Sequence, residues 1–184
     1  HGTFLINSAA HVWGKQPYST TNSSKDSPWL AFFTFGEGYH NFHHTYPADY
    51  RNGYRWWQWD PSKWWIQAAS LVRLSANLKR APKWSIETAK METRFQRAAS
   101  DAATEHGEGQ MNVFQARSKA CCDAMRKTLR QVDAKRQQLK QAGREKREQL
   151  VNQLKQAKMS VKQVRADFQL LLAEMSPAPR PSHS

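Results

Sequence analysis

Apolar residues are spaced differently in the two halves of the chain. From residue 150 onward, Leu150, Leu154, Ala157, Val161, Val164, Phe168, Leu171 and Met175 recur at alternating steps of four and three. That spacing puts them on one stripe of an α-helix, a heptad seam sustained for more than three heptads. Met125, Leu129, Val132 and Leu139 continue a weaker seam upstream. Residues 140–149 add nothing to the seam and contain Gly143, so the pattern predicts either one helix over 112–175 or a helical hairpin. The first half is broken more often. Residues 1–13 form a short apolar segment with helical character. Residues 14–27 hold Pro17, a Ser/Thr/Asn cluster and Lys25-Asp26, which favour turns. Ser27-Pro28 predicts a helix start with proline in its first turn, running through Trp29–Phe35. Pro47, Asn52-Gly53 and Asp60-Pro61 mark turns. Residues 62–78 predict an amphipathic helix, capped by Ser62, lying in an interface plane. A polar connector is expected over 79–111, with a break at His106-Gly107-Glu108-Gly109, and the proline-bearing tail 176–184 is expected to be disordered.

Charge sharpens this division. The formal net charge is +13, from 28 Lys+Arg against 15 Asp+Glu. Within 117–165 there are 15 basic and 4 acidic residues, so most of the excess sits on the predicted long helix. Such a helix suits an anionic membrane surface or an acidic partner. No base-reading motif accompanies it, which argues against nucleic acid. Cys121 and Cys122 are adjacent. They form neither a disulfide framework nor a spaced metal motif, and a reducing compartment is expected. No apolar run reaches the roughly 20 residues that span a bilayer. The longest, Trp64–Leu78, is interrupted by Gln67, Ser70, Arg73 and Asn77. The chain begins with His1 and shows no signal peptide, so it is expected to be a piece of a longer protein. Six of the eight tryptophans lie between residues 29 and 65, with Arg51, Arg55 and Lys63 among them. Tryptophan concentrates where apolar surroundings meet water.

The chemistry lies in His40-Asn41-Phe42-His43-His44. On a helix, His40 and His44 share a face and His43 lies beside them. One turn thus offers three imidazoles to a single locus, and nitrogen donors of this kind suit iron, copper or zinc. His11 is a further candidate on another helix, with Asn7 one turn away. His1, His106 and His183 have no neighbouring partners in sequence. Structural zinc more often takes paired cysteines, and the cluster lacks the His-Glu-x-x-His order of a zinc protease.

These residues resemble the third histidine box of the integral-membrane fatty acid desaturases, His-x-x-His-His, here preceded by Gly36-Glu37-Gly38. Asn7-Ser8-Ala9-Ala10-His11, followed by Gly14 and Pro17-Tyr18, resembles that family's Asn-Ser-x-x-His element. Pro47-Ala48-Asp49-Tyr50-Arg51-Asn52-Gly53 and Arg55-Trp56-Trp57-Gln58-Trp59-Asp60-Pro61 are similar to its bacterial and cyanobacterial delta-9 branch. The resemblance covers about residues 1–78. It implies the C-terminal part of a membrane desaturase (histidine-box helices plus an interfacial helix), and with the long basic coiled-coil-like helix or hairpin that the seam predicts, the expected fold is all-α. It further implies a di-iron centre ligated by His11, His40, His43 and His44, with Asn7 acting through a water and Phe4 lining the acyl tunnel. The implied activity is O2-dependent insertion of a cis double bond into a saturated acyl chain, stearoyl or palmitoyl. The substrate would be an acyl-CoA or acyl-lipid, and the electron donor of ferredoxin or cytochrome b5 type. The full-length protein would be integral to the membrane, its catalytic face cytosolic. The family's first two boxes are absent from these 184 residues, so the piece alone is expected to be inactive.

The resemblance marks 1–78 as catalytic, and the sequence pattern adds a connector over 79–111, a basic helical extension over 112–175 and a tail over 176–184. Two other readings compete with it. One is a related di-iron acyl hydroxylase. The other is a non-enzymatic basic helical protein that binds membrane or nucleic acid. The seam over 150–175 also admits helical self-association.

Overall fold

Turn residues and left-handed backbone break the first eighty residues into short helices, whereas the heptad-spaced remainder forms long ones. A computed structural model describes residues 8–103 and 107–175. Phe4, Asn7, His1, His106, His183 and the tail lie outside those residues. The chain divides into two units, 1–82 and 83–184. No strand forms among the described residues; two isolated bridges, Lys15 with Asp26 and Asp26 with Tyr39, are the only extended pairing there.

In the first unit, residues 8–12 are helical and are followed by α1 (Pro28–Phe33), α2 (His40–Thr45) and α3 (Pro61–Leu71). Ser27 caps α1 as its spacing predicts, its side chain accepting from the Leu30 N–H, with Pro28 in the first turn. The helix stops at Phe33, two residues earlier than expected. Phe35 and Gly36 adopt positive φ of 52° and 103°, which no α-helix accommodates.

The start of α3 also differs from the sequence expectation. Asp60 is its cap, accepting from the Lys63 N–H, with Pro61 in the first turn. Ser62 instead donates to the Phe35 carbonyl. Asp60 wins because a buried carboxylate can serve several amides at once: its Oδ2 accepts from Asn52 and Gly53. The helix ends at Leu71, not at residue 78, since Arg73 and Asn77 take left-handed φ.

In the second unit, α4 (Lys83–Ala102), α5 (Glu108–Gln141) and α6 (Arg144–Glu174) pack together. Helix α4 occupies most of the stretch expected as a polar connector. Met91, Phe95, Ala98 and Ala102 step by four, three and four, a short heptad stripe that the sequence reading passed over, and they pack against α5 and α6. Gly143 separates α5 from α6, and the two form the hairpin. Arg117 meets Glu174, Cys121 meets the Val164 carbonyl, and Lys135 meets Gln153. The pair numbers fall on one side as they rise on the other, so the helices run antiparallel. The seam of α6 is therefore buried within the chain: Phe168, Leu171 and Met175 join Phe114, Cys122 and Met125 in the core. Phe95 sits at the centre, 4.8 Å from the Phe168 ring and 5.8 Å from the Phe114 ring in edge-to-face contact, a favoured aromatic arrangement.

Removing Phe168 opens a void in the core cluster that the three helices share. Phe168→Ala is expected to destabilise this unit by about 3–5 kcal/mol. Met159→Ala, at an exposed position of α6, should stay within about 0.5 kcal/mol. Urea unfolding followed by circular dichroism at 222 nm measures both.

Candidate metal centre

Helix α2 is only six residues long and has no side-chain cap of its own, since Tyr39 occupies the cap position. A helix this short is unstable alone, so its placement must come from elsewhere. Two polar side chains supply it. The Asp26 carboxylate accepts from the Phe42 N–H at 3.0 Å and from the Asn41 amide, doing from a distant loop what a cap residue does locally. Asn41 is fully buried. Its Oδ1 accepts from the Tyr18 and Ser19 amides, at 2.9 and 3.3 Å, and its Nδ2 donates to the Ser19 and Ser24 carbonyls, at 2.9 and 3.1 Å. Beside it, Phe42 packs among Tyr18, Tyr46 and Tyr54.

With Asn41 and Phe42 turned inward, the 3.6-residue repeat turns His40, His43 and His44 the other way. The same loop brings in His11. Lys25 N–H donates to the Ala10 carbonyl, Lys15 and Asp26 exchange two backbone bonds, and Ser27 N–H donates to the Gly38 carbonyl. Glycines permit this closeness. A Cβ on Gly14 (φ 130°) would lie 2.5 Å from the Asp26 carbonyl, and one on Gly38 would lie 2.1 Å from the Ala31 nitrogen.

One candidate nitrogen from each of His11, His40 and His44 lies within 4.8 Å of the others, close enough to hold a metal ion. Nε2 of His40 and Nε2 of His44 are 3.0 Å apart. The His11 ring centroid is 5.1 Å from that of His40 and 6.1 Å from that of His44. His43 is not one of the three; its ring stands 5.8 Å from His44 and 6.4 Å from His40, on the exposed side. Outer partners fix two of the rings, as metal-binding imidazoles require. His11 Nδ1 meets Ser23 Oγ at 2.8 Å, and the Glu37 main chain hydrogen-bonds His40. The backbone of Glu37 thus serves His40. Burial, then the His44, His11 and His43 rings, push His40 down to about 4, against that bond. His44 is lowered by burial and by His43 and His11. Both rings are therefore neutral at pH 7, the form that ligates metal. Burial pushes Asp26 up to about 7, against the amide bonds that pull it down.

Sequence reasoning singled out the histidines and missed Asp26, Asn41 and Ser23. A signal existed for the first: His40 follows Tyr39, a residue that does not cap.

The same unit exposes several large apolar side chains. Trp29, Phe32, Phe33, Phe35, Trp56 and Trp65 are all exposed, Trp56 by 86%. No helix among the described residues is long and apolar enough to cross a membrane.

Residues 1–75 match the family model of fatty acid desaturases. A probable acyl-CoA desaturase of Schizosaccharomyces pombe is 48% identical over 87 residues, which are 47% of this chain and 18% of that protein. Acyl-CoA desaturase 1 of Saccharomyces cerevisiae is 49% identical over 87 residues, 47% of this chain and 17% of that protein. The sn-2 palmitoyl-lipid 9-desaturase of a Nostoc species is 35% identical over 82 residues, 45% of this chain and 29% of that protein. The chain thus spans less than a third of each of these relatives.

The geometry gives two expectations. In a proton NMR titration of the metal-free chain, the His40 ring should titrate near pH 4, far below the value of about 6.5 of an unperturbed histidine. Asn41→Ala strips partners from the Tyr18 and Ser19 amides and the Ser19 and Ser24 carbonyls. It should destabilise this unit by roughly 1–3 kcal/mol for each group left buried and unpaired, read from the fluorescence midpoint in urea.

Proposed function

We propose, from the match of residues 1–75 to the fatty acid desaturase model, that these residues are part of a desaturase domain and that the whole protein inserts a cis double bond into a saturated acyl chain, at a di-iron centre, with O2 and two electrons. The observation that carries this reading is the convergence of the His11, His40 and His44 nitrogens within 4.8 Å. The donors fit iron: they are all imidazole nitrogens. Iron held there supplies the oxidising power that an unactivated C–H bond requires.

The work of this chain's own residues is to present the imidazoles neutral and in fixed orientation. Ser23 and the Glu37 main chain orient the His11 and His40 rings. Asp26 and Asn41 hold the helix that carries the box. His43, which stands outside the three converging rings, would hold the second iron of the pair. Asn7 would act through a water and Phe4 would line the acyl tunnel. The exposed tryptophans and phenylalanines suit contact with lipid or with the remaining helices of an integral-membrane enzyme whose metal-bearing face is cytosolic. Residues 1–78 belong to that catalytic domain, and the basic helical extension that follows it in the chain includes α4. The substrate is an acyl-CoA or acyl-lipid of the stearoyl or palmitoyl class, and the electron donor is a ferredoxin or cytochrome b5 type protein.

The test uses the whole protein expressed in a host with simple membrane lipids, with fatty acids profiled by gas chromatography. New cis-monounsaturated chains are expected, absent from the His43→Ala and His44→Ala variants. Saturated chains unchanged by an iron-loaded protein supplied with a donor would overturn the reading. Hydroxylated chains would move it to the hydroxylase class.

A further inference from the structure

A groove of about 670 Å³ opens between α4 and α5, within the second unit. Its walls include Phe95, Ala99, Met111 and Phe114, with Ser118 and Lys119 also lining it. The volume lies within the roughly 300–1,000 Å³ typical of small-molecule sites, which are mostly apolar with a few placed polar groups.

Ser118 is what makes this groove more than a packing defect. It is 7% exposed, and its Oγ is buried without a hydrogen-bond partner among the described residues. A serine in a helix ordinarily returns a bond to the carbonyl one turn back. An unpaired buried hydroxyl carries an uncompensated desolvation cost. A ligand oxygen in the groove would remove that cost.

Two acidic residues, Glu92 and Asp123, and two basic residues, Lys119 and Arg126, line the groove, but they are not evenly paired. Arg126 is held by Glu92 at 2.6 Å and by Asp123 at 2.7 Å, so its charge is already matched. Lys119 is exposed and makes no ion pair among the described residues. A polypeptide occupant fits poorly. It would bring an N–H and a carbonyl with every residue, and the buried part of the wall offers one unpartnered side-chain group among the described residues, the Ser118 hydroxyl.

We propose that the groove between α4 and α5 binds a single-chain amphiphile. Its apolar chain lies along Phe95, Ala99, Met111 and Phe114, its oxygen bonds Ser118, and its negative head faces Lys119. The inference is independent of the histidine site.

Methyl NMR on the full chain with ¹³C-labelled methionine tests it, because Met111 lines the groove while Met159 is exposed on α6. The probes are sodium dodecanoate, below its micellar concentration, and dodecan-1-ol. Each should shift the Met111 methyl saturably and leave Met159 unmoved. Ala99→Trp, which fills the groove, should abolish the shift. Ser118→Ala, which keeps the fold with a smaller side chain, should weaken both probes about three- to tenfold. Lys119→Gln should weaken dodecanoate only. A silent Met111, a parallel shift of Met159, or unchanged affinity in Ser118→Ala would each overturn the proposal.

Discussion

The grip of Asp26 and Asn41 on helix α2 is the interaction on which the rest of the first unit depends. A six-residue helix cannot hold its own shape in water, and this one carries three of the four candidate ligands. Asp26 bonds its first-turn amides, and Asn41 ties its buried face to the loop at residues 18–24. That loop also positions Ser23, which bonds His11. One network therefore sets both the helix that bears His40 and His44 and the partner of the third ring. Because every polar atom of Asn41 is engaged out of water, its loss is felt as unpaired groups rather than as a missing contact.

Asp60 plays the corresponding part for the tryptophan-rich segment. It caps α3, ties down Asn52 and Gly53, and lies so close to Gly36 that a Cβ there would come within 2.7 Å of its Oδ1. Lys63 completes the arrangement: its buried Nζ donates to the Gly53, Arg55 and Gln58 carbonyls. Burial lowers its pKa, against the attraction of Asp60. The loop that carries Trp56, Trp57 and Trp59 is thus fixed by polar bonds beneath it. This leaves the aromatic side chains free to face outward, an arrangement suited to a surface that meets an apolar phase.

The second unit depends on a different force. Its helices are polar over most of their surface, and burial is confined to a seam that thickens where α4 joins the hairpin around Phe95, Phe114 and Phe168. Because α4 has 20 residues against 34 in α5, it covers only part of the hairpin. Toward Gly143 the seam residues of α6, such as Leu150 and Leu154, are only partly buried. The dense run of lysines and arginines along this stretch stays in water.

Repetition and local chemistry made much of this legible from the sequence. The heptad spacing of residues 150–175 determined a helix with one apolar stripe, and Ser27-Pro28 determined the start of α1. Three histidines within five residues marked a metal-type donor cluster, because side-chain direction on a helix follows from spacing alone. Other features were set only by the tertiary structure. Whether the seam would pair within the chain or between chains turned on the break at Gly143 and on α4, whose short apolar stripe packs against the other two helices. Ser62 lost the cap of α3 to Asp60 because Asp60 answers amides eight residues upstream as well as its own. His11, rather than His43, joined His40 and His44 because loop bonds, which leave no period in a sequence, carried it across.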